Sequence, residues 1–178
     1  MSDSDMRARY EDLLRRYIPA LSRLAWSYAR NHHEDLFQEI AMALWTALPQ
    51  FRGDCSERTW LYRVAHNASI SFMANSRRTR QQEQAGEELP EPLYRGNPEN
   101  DAIHQEQRTR LWKAVLELPL TDRQLVLMHL EGLTAAEIES VTGMSSGAVA
   151  TRLTRARKRL TSEICGKEED IHGRPKGE

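Results

Sequence analysis

"EGLTAAEIESVTGMSSGAVATRLTRARKRL", residues 131–160, carries the punctuation of two helices and of the turn between them. Gly132 supplies a left-handed stop for whatever helix precedes it, and Thr134 with Glu137 three residues on has the spacing of a capping box. The spacing predicts a short helix over 135–142, ended by Gly143. Met144 is apolar enough to pack under the turn, and Ser145 or Ser146 can cap the next helix. On that last helix Val149, Leu153, Ala156 and Leu160 recur at i, i+4, i+7 and i+11, one face, aimed at Ile138 and Val141. Helix, glycine turn, helix is the arithmetic of a helix-turn-helix.

Immediately upstream, "LPLTDRQ" places Thr121 three residues before Gln124, which reads as another capping box with a helix beginning near Asp122. The helical pattern extends over 107–164, and 165–178 reads as a frayed tail. Before this block, 81–106 changes character: Glu83, Glu87, Glu88, Glu91, Glu99, Asp101 and Glu106 stand against the single base Arg95, with Pro90, Pro92, Pro98, Gly86 and Gly96 among them. That composition is a flexible acidic linker. In 1–80 apolar residues again recur at helical spacing, from Leu13, Leu14 and Tyr17 to Leu36, Ile40, Leu44 and Leu48, and no strand-like alternation competes. The expected fold is all-α, two small helical domains joined by the linker.

Composition sets the surroundings. The chain has 178 residues, with 25 Lys and Arg against 26 Asp and Glu, a net charge of -1. The longest stretch without a charge, Ile40 to Phe51, is too short to span a bilayer, and the opening residues have no apolar leader core. A cytoplasmic protein without membrane insertion of its own is expected. Cys55 and Cys165 have no partner spacing and read as two ordinary thiols, with neither a disulfide framework nor a zinc site.

Against that near-neutral total, Ser146 to Leu160 holds Arg152, Arg155, Arg157, Lys158 and Arg159 and no acid. A basic helix end has an alternative reading, the favourable meeting of cations with the helix macrodipole. Placed after a glycine turn and a capping box, it points instead to DNA: Ala150, Thr151, Thr154 and Arg155 toward base edges, Arg152, Arg157, Lys158 and Arg159 toward phosphates.

These residues resemble region four of the extracytoplasmic-function sigma factors, within the sigma-70 family. The matching points are Leu118-Pro119, Glu131-Gly132-Leu133, Glu137-Ile138, Gly143, Gly147-Ala148-Val149, Arg152-Leu153 and Arg155-Ala156-Arg157. The first block is similar to region two: "EDLFQEIAMALWTALPQFRG" to its clamp-binding segment and "RTWLYRVAHNASI" to its promoter-melting segment. The resemblance implies a non-enzymatic promoter-specificity subunit. Its partners would be core RNA polymerase, through the beta-prime clamp and the beta flap, promoter DNA and an anti-sigma factor, with no cofactor.

Residue by residue, the resemblance assigns Asp35, Gln38 and Glu39 to core-polymerase binding. It assigns the loop residues Arg52, Asp54, Ser56 and Arg58 and the helix residues Arg63, His66, Asn67, Ser71, Arg77 and Arg78 to the minus-ten element. Ser146, Ala150, Thr151, Arg152, Thr154, Arg155, Arg157 and Lys158 fall to the minus-thirty-five element. Trp60 could hold a flipped base or pack in the core. Two other readings stand beside this one: a helix-turn-helix regulator that never enters polymerase, and a metal-dependent hydrolase using His32, His33 and Asp35. Consecutive residues diverge around a helix, which weighs against the latter. The chain also departs from the family: Ser71 and Met73-Ala74-Asn75 replace an Asp and an Arg-rich run. Glu139 stands four residues before the turn glycine, where a small residue is usual, so its carboxylate must escape to solvent.

Overall fold

In the computed structural model the described backbone covers residues 3–79 and 102–171, with side chains described over 4–76 and 109–163. The expected linker lies almost wholly outside these residues. Seven helices are described: α1 Asp3–Tyr28, α2 His33–Ala47, α3 Glu57–Thr79, α4 Ala102–Glu117, α5 Leu120–Leu130, α6 Ala135–Thr142 and α7 Ser146–Ile171. Short 3-10 turns at Arg30–His32 and Leu48–Gln50 bracket α2. No strand occurs among the described residues. The second block begins earlier than its composition suggests, at Ala102, and α7 continues through Ile171, past the expected start of the tail.

The stripe Leu36, Ile40, Leu44 and Leu48 is essentially solvent-free and packs α2 against α1 and α3. Burying a leucine or isoleucine side chain contributes about 1.5–3 kcal/mol, so one such stripe is enough to fix the helix's rotation. From α1 come Leu13, Leu21, Leu24, Ala25 and Tyr28, and from α3 Trp60, Leu61, Tyr62 and Ala65. Trp60 is a core residue, its ring 4.9 Å from that of Phe51.

In the second block, Val149 and Ala156 of α7 are buried, with Leu153 and Leu160 half-buried beside them. Gly143 sits at φ 72° and Gly132 at φ 88°, left-handed turns that a side chain would strain. The capping box at α6 forms: the Glu137 amide donates to Thr134 Oγ1 at 3.2 Å, and the Thr134 amide to Glu137 Oε2 at 2.9 Å. The one expected at α5 does not. Pro119, in extended geometry, is the residue before the helix, so α5 begins at Leu120 and Thr121 already lies inside it. A proline preceding the first turn needs no amide partner and ends the extended segment by itself. Gln124 is consequently buried rather than free to cap.

The two blocks are packed against each other. Helix α6 lies on α3, and α5 on α1. The apolar cluster of the first block continues into Leu125, Met128, Leu133, Ile138, Val141 and Val149. A second, smaller cluster joins Val115, Leu118, Val126, Leu127 and Ala156.

Candidate nucleic-acid interface

Helix α7 presents its apolar face inward because Val149, Leu153 and Ala156 are spaced for it, which leaves Ala150, Thr151, Thr154, Arg155, Arg157 and Lys158 exposed on the outside. Ser146 is half-buried at the helix start. The hydroxyls of Thr151 and Thr154 donate back to the carbonyls of Gly147 and Ala150, both at 2.9 Å, leaving their lone pairs outward. Arg152 is different. Its guanidinium pairs with Asp122 at 2.7 Å and ties α7 to α5, so its local work is to fix the recognition helix on its support.

At the turn, Glu139 is exposed, as its place in the sequence requires, but not idle. Its carboxylate accepts the Ser146 amide at 2.9 Å, while Ser145 Oγ accepts from Ala148 at 3.4 Å. Two of the amides that a helix start leaves without intrahelical partners are thereby satisfied.

In the first block the loop Phe51–Ser56 turns at Gly53 and exposes Arg52, Asp54 and Ser56, whereas Arg58, expected in the loop, is exposed on the first turn of α3 because the helix already begins at Glu57. Along α3, Arg63, Asn67 and Ser71 share an exposed face, and Ile70, half exposed, lies among them. The side chains of Arg77 and Arg78 lie outside the described set. His66 does not join that face. It is turned toward α1, where its Nδ1 meets the Tyr28 hydroxyl at 2.5 Å, and burial lowers its pKa while raising that of Tyr28. Desolvation disfavours the charged form of each group, so a neutral imidazole hydrogen-bonded to a neutral phenol is the stable arrangement.

On α2, with its core stripe inward, Asp35, Gln38 and Glu39 form an exposed ridge. The ridge continues into Met42 and Trp45, large apolar groups left in solvent, with Trp45 edge-on to Tyr10 at 5.0 Å. Nothing in the sequence singles out Trp45; only the rotation of α2, fixed by the stripe on its other side, reveals that it adjoins the polar ridge. His32 contacts Asp35 at 3.5 Å, and His33 turns to the Arg30 carbonyl at 2.9 Å. Among the described residues no three His, Cys, Asp or Glu side chains converge as metal ligands, and no helix is long and apolar enough to cross a membrane.

Comparison with known proteins agrees with this arrangement. Residues 13–79 match the family model for sigma-70 region 2 and residues 108–160 that for sigma-70, region 4. The chain is 29% identical over 163 residues to the ECF RNA polymerase sigma-E factor of Escherichia coli (strain K12), covering 85% of this chain and 78% of that protein. It is 27% identical to the sigma-E factor of Haemophilus influenzae, covering 85% of each. Among solved structures, the sigma factor RpoE in complex with the anti-sigma factor NepR from Bartonella quintana superposes with a TM-score of 0.68 at 22% identity, covering 89% of this chain and 97% of that one. CnrH in complex with the cytosolic domain of CnrY superposes at 0.59, also at 22% identity, over 90% of each. With both region models matched in order and sigma-E relatives spanning most of its length, the chain belongs to the sigma-70 family, in its extracytoplasmic-function group.

Proposed function

We propose that this sigma factor grips core polymerase through the α2 ridge and reads promoters through two separate faces, the Phe51–Ser56 loop with α3 and the outer side of α7. The protein is not an enzyme. It directs RNA polymerase to promoters, and the phosphoryl transfer belongs to polymerase. The observation that carries the residue assignments is the sorting of side chains: wherever the apolar stripe of α2 or α7 points inward, the groups suited to a partner are left outside.

On α2, Asp35, Gln38 and Glu39 supply acceptors and an amide, and Met42 and Trp45 supply apolar area beside them, the mixed composition of a protein interface. Helix α7 supplies Thr151, Thr154 and Arg155 to base edges and Arg157 and Lys158 to phosphates. Helix α3 supplies Arg63, Asn67 and Ser71. The protein acts in the cytoplasm, and by analogy with the complex of RpoE with the anti-sigma factor NepR, an anti-sigma factor is its partner. Charge reversal tests the clamp assignment. Asp35→Arg with Glu39→Arg abolishes co-purification with core polymerase and run-off transcription while helicity is retained, because both side chains are exposed. Undiminished co-purification overturns the assignment.

A further inference from the structure

Over its first two turns the recognition helix α7 has little to read with. Its exposed residues there are Gly147, Ala148, Ala150 and Thr151, all short, and Arg152 is held back by Asp122. The first long side chain that is exposed and not tied to another helix is Arg155, roughly 13 Å of helix beyond Ser146. Yet the N-terminal end of a recognition helix is the part that meets base edges in the major groove. The group that stands at this end comes from the neighbouring helix. Glu139 of α6 is exposed, and its Oε2 accepts the Ser146 amide at 2.9 Å. Its Oε1 has no hydrogen-bond partner among the described residues. On both flanks of that contact the surface is open: a Cβ added at Gly143 or at Gly147 would meet no neighbouring group within 4 Å. The Ser146 amide fixes one oxygen, so the other is presented in a set direction, ready-made for a contact.

We infer that Glu139 is a specificity-determining residue for the minus-thirty-five element: its free oxygen accepts the N4 amino group of a cytosine in the major groove, at the base pair facing the start of α7. The inference rests on the proposed reading of that element by α7. A small side chain, usual at this place in the family, has no such oxygen, so the preference belongs to this chain.

A carboxylate can only accept, so it chooses among bases by the donors they offer. Guanine and thymine turn acceptor oxygens into the major groove, and these repel it. Adenine offers its N6 amino group with the N7 acceptor beside it. Cytosine alone offers an amino group with no acceptor on its own edge. The same charge keeps phosphates away from the start of the helix and leaves them to the exposed Arg157 and Lys158 further along. Glu139 and Arg155 thus read separate base pairs, one from each end of the exposed stretch.

The test uses holoenzyme carrying the full chain and profiles a promoter library over the minus-thirty-five element. The parent selects cytosine at one position of one strand and loses about fivefold or more with any other base there. Deoxyuridine opposite adenine at that position exchanges the N4 amino group for an O4 oxygen without adding a methyl, and it costs the parent as much as thymine does. Glu139→Gln keeps an acceptor for the Ser146 amide and turns an amide donor outward. Cytosine then falls to or below the level of deoxyuridine, while the other positions stay within about twofold. Glu139→Ala, checked for retained helicity, loses the cytosine preference and gains no other. A purely structural cap would weaken every promoter by one factor, and a carboxylate facing only phosphates would give Glu139→Gln a uniform gain. Either result, or an unaltered base preference, overturns the assignment. Arg155→Ala in the same library keeps the two readings apart. If it relaxes its own position while Glu139→Gln alters none, Glu139 alone is wrongly assigned; if neither variant alters any preference, the reading face of α7 falls with it.

Discussion

Glu139 illustrates how a residue that breaks a family habit can be put to use. A carboxylate where two helices approach would cost several kcal/mol if buried; here it reaches past the turn and takes the Ser146 amide, acting as a second cap for α7. Glu139→Ala therefore destabilises the second block by about 0.5–1 kcal/mol in chemical denaturation, and Glu139→Gln, which keeps an acceptor, recovers most of the loss. His66 is governed by burial instead. Its folded-state pKa lies below the unfolded value, so below about pH 6.5 the unfolded chain binds more protons than the folded one and stability falls as the pH drops. Thermal midpoints measured between pH 7.5 and 5.5 decline for the parent chain, and less steeply for His66→Phe, which has no proton to take up. Neither residue's partner could be read from the sequence, because Ser146 and Tyr28 become neighbours only through the turn and through the packing of α1 on α3.

At the scale of elements, the rotation of a helix about its axis decides which of its residues can meet DNA. The inward face of α7 was legible from the spacing of Val149, Leu153 and Ala156 alone, and so was the exposed position of Thr151, Thr154 and Arg155. Arg155→Ala relaxes preference at one base position of the minus-thirty-five element at a cost of about 1–3 kcal/mol. Lys158→Ala weakens all sequences alike and lowers the salt slope by about one unit. Promoter-library profiling separates the two, and an equal loss on every promoter for Arg155→Ala would mean that the reading face is elsewhere. Arg152 shows where periodicity stops being informative: it is on a basic helix, but Asp122 of another helix claims it. Likewise the start of α5 was misplaced because proline's fixed backbone outweighed a capping pattern that matched by residue type. Spacing reports what one helix turns inward; it carries no information about which side chain a neighbouring helix will present.

For the whole molecule, two helical blocks were legible from the acidic, proline-rich segment between them, and their mutual packing was not. The junction is made by residues that look ordinary in sequence: Arg23, Ser27 and Arg30 on one side, Leu116, Arg123 and Glu131 on the other. Their pairing depends on tertiary placement over separations of 86 to 108 residues, beyond the reach of any local pattern.

The pairing of Trp26 with Trp112 has a practical consequence. The rings lie 6.1 Å apart on opposite sides of the junction, and the Arg30 guanidinium sits 5.4 Å from the Trp26 ring. Separation of the blocks carries an indole that is almost wholly shielded, 3% exposed, from its place against Trp112 into water. Indole emission shifts to longer wavelength under such a change, so the chain holds an optical gauge of its own opening, readable in a cuvette without a label as polymerase or an inhibitor is added.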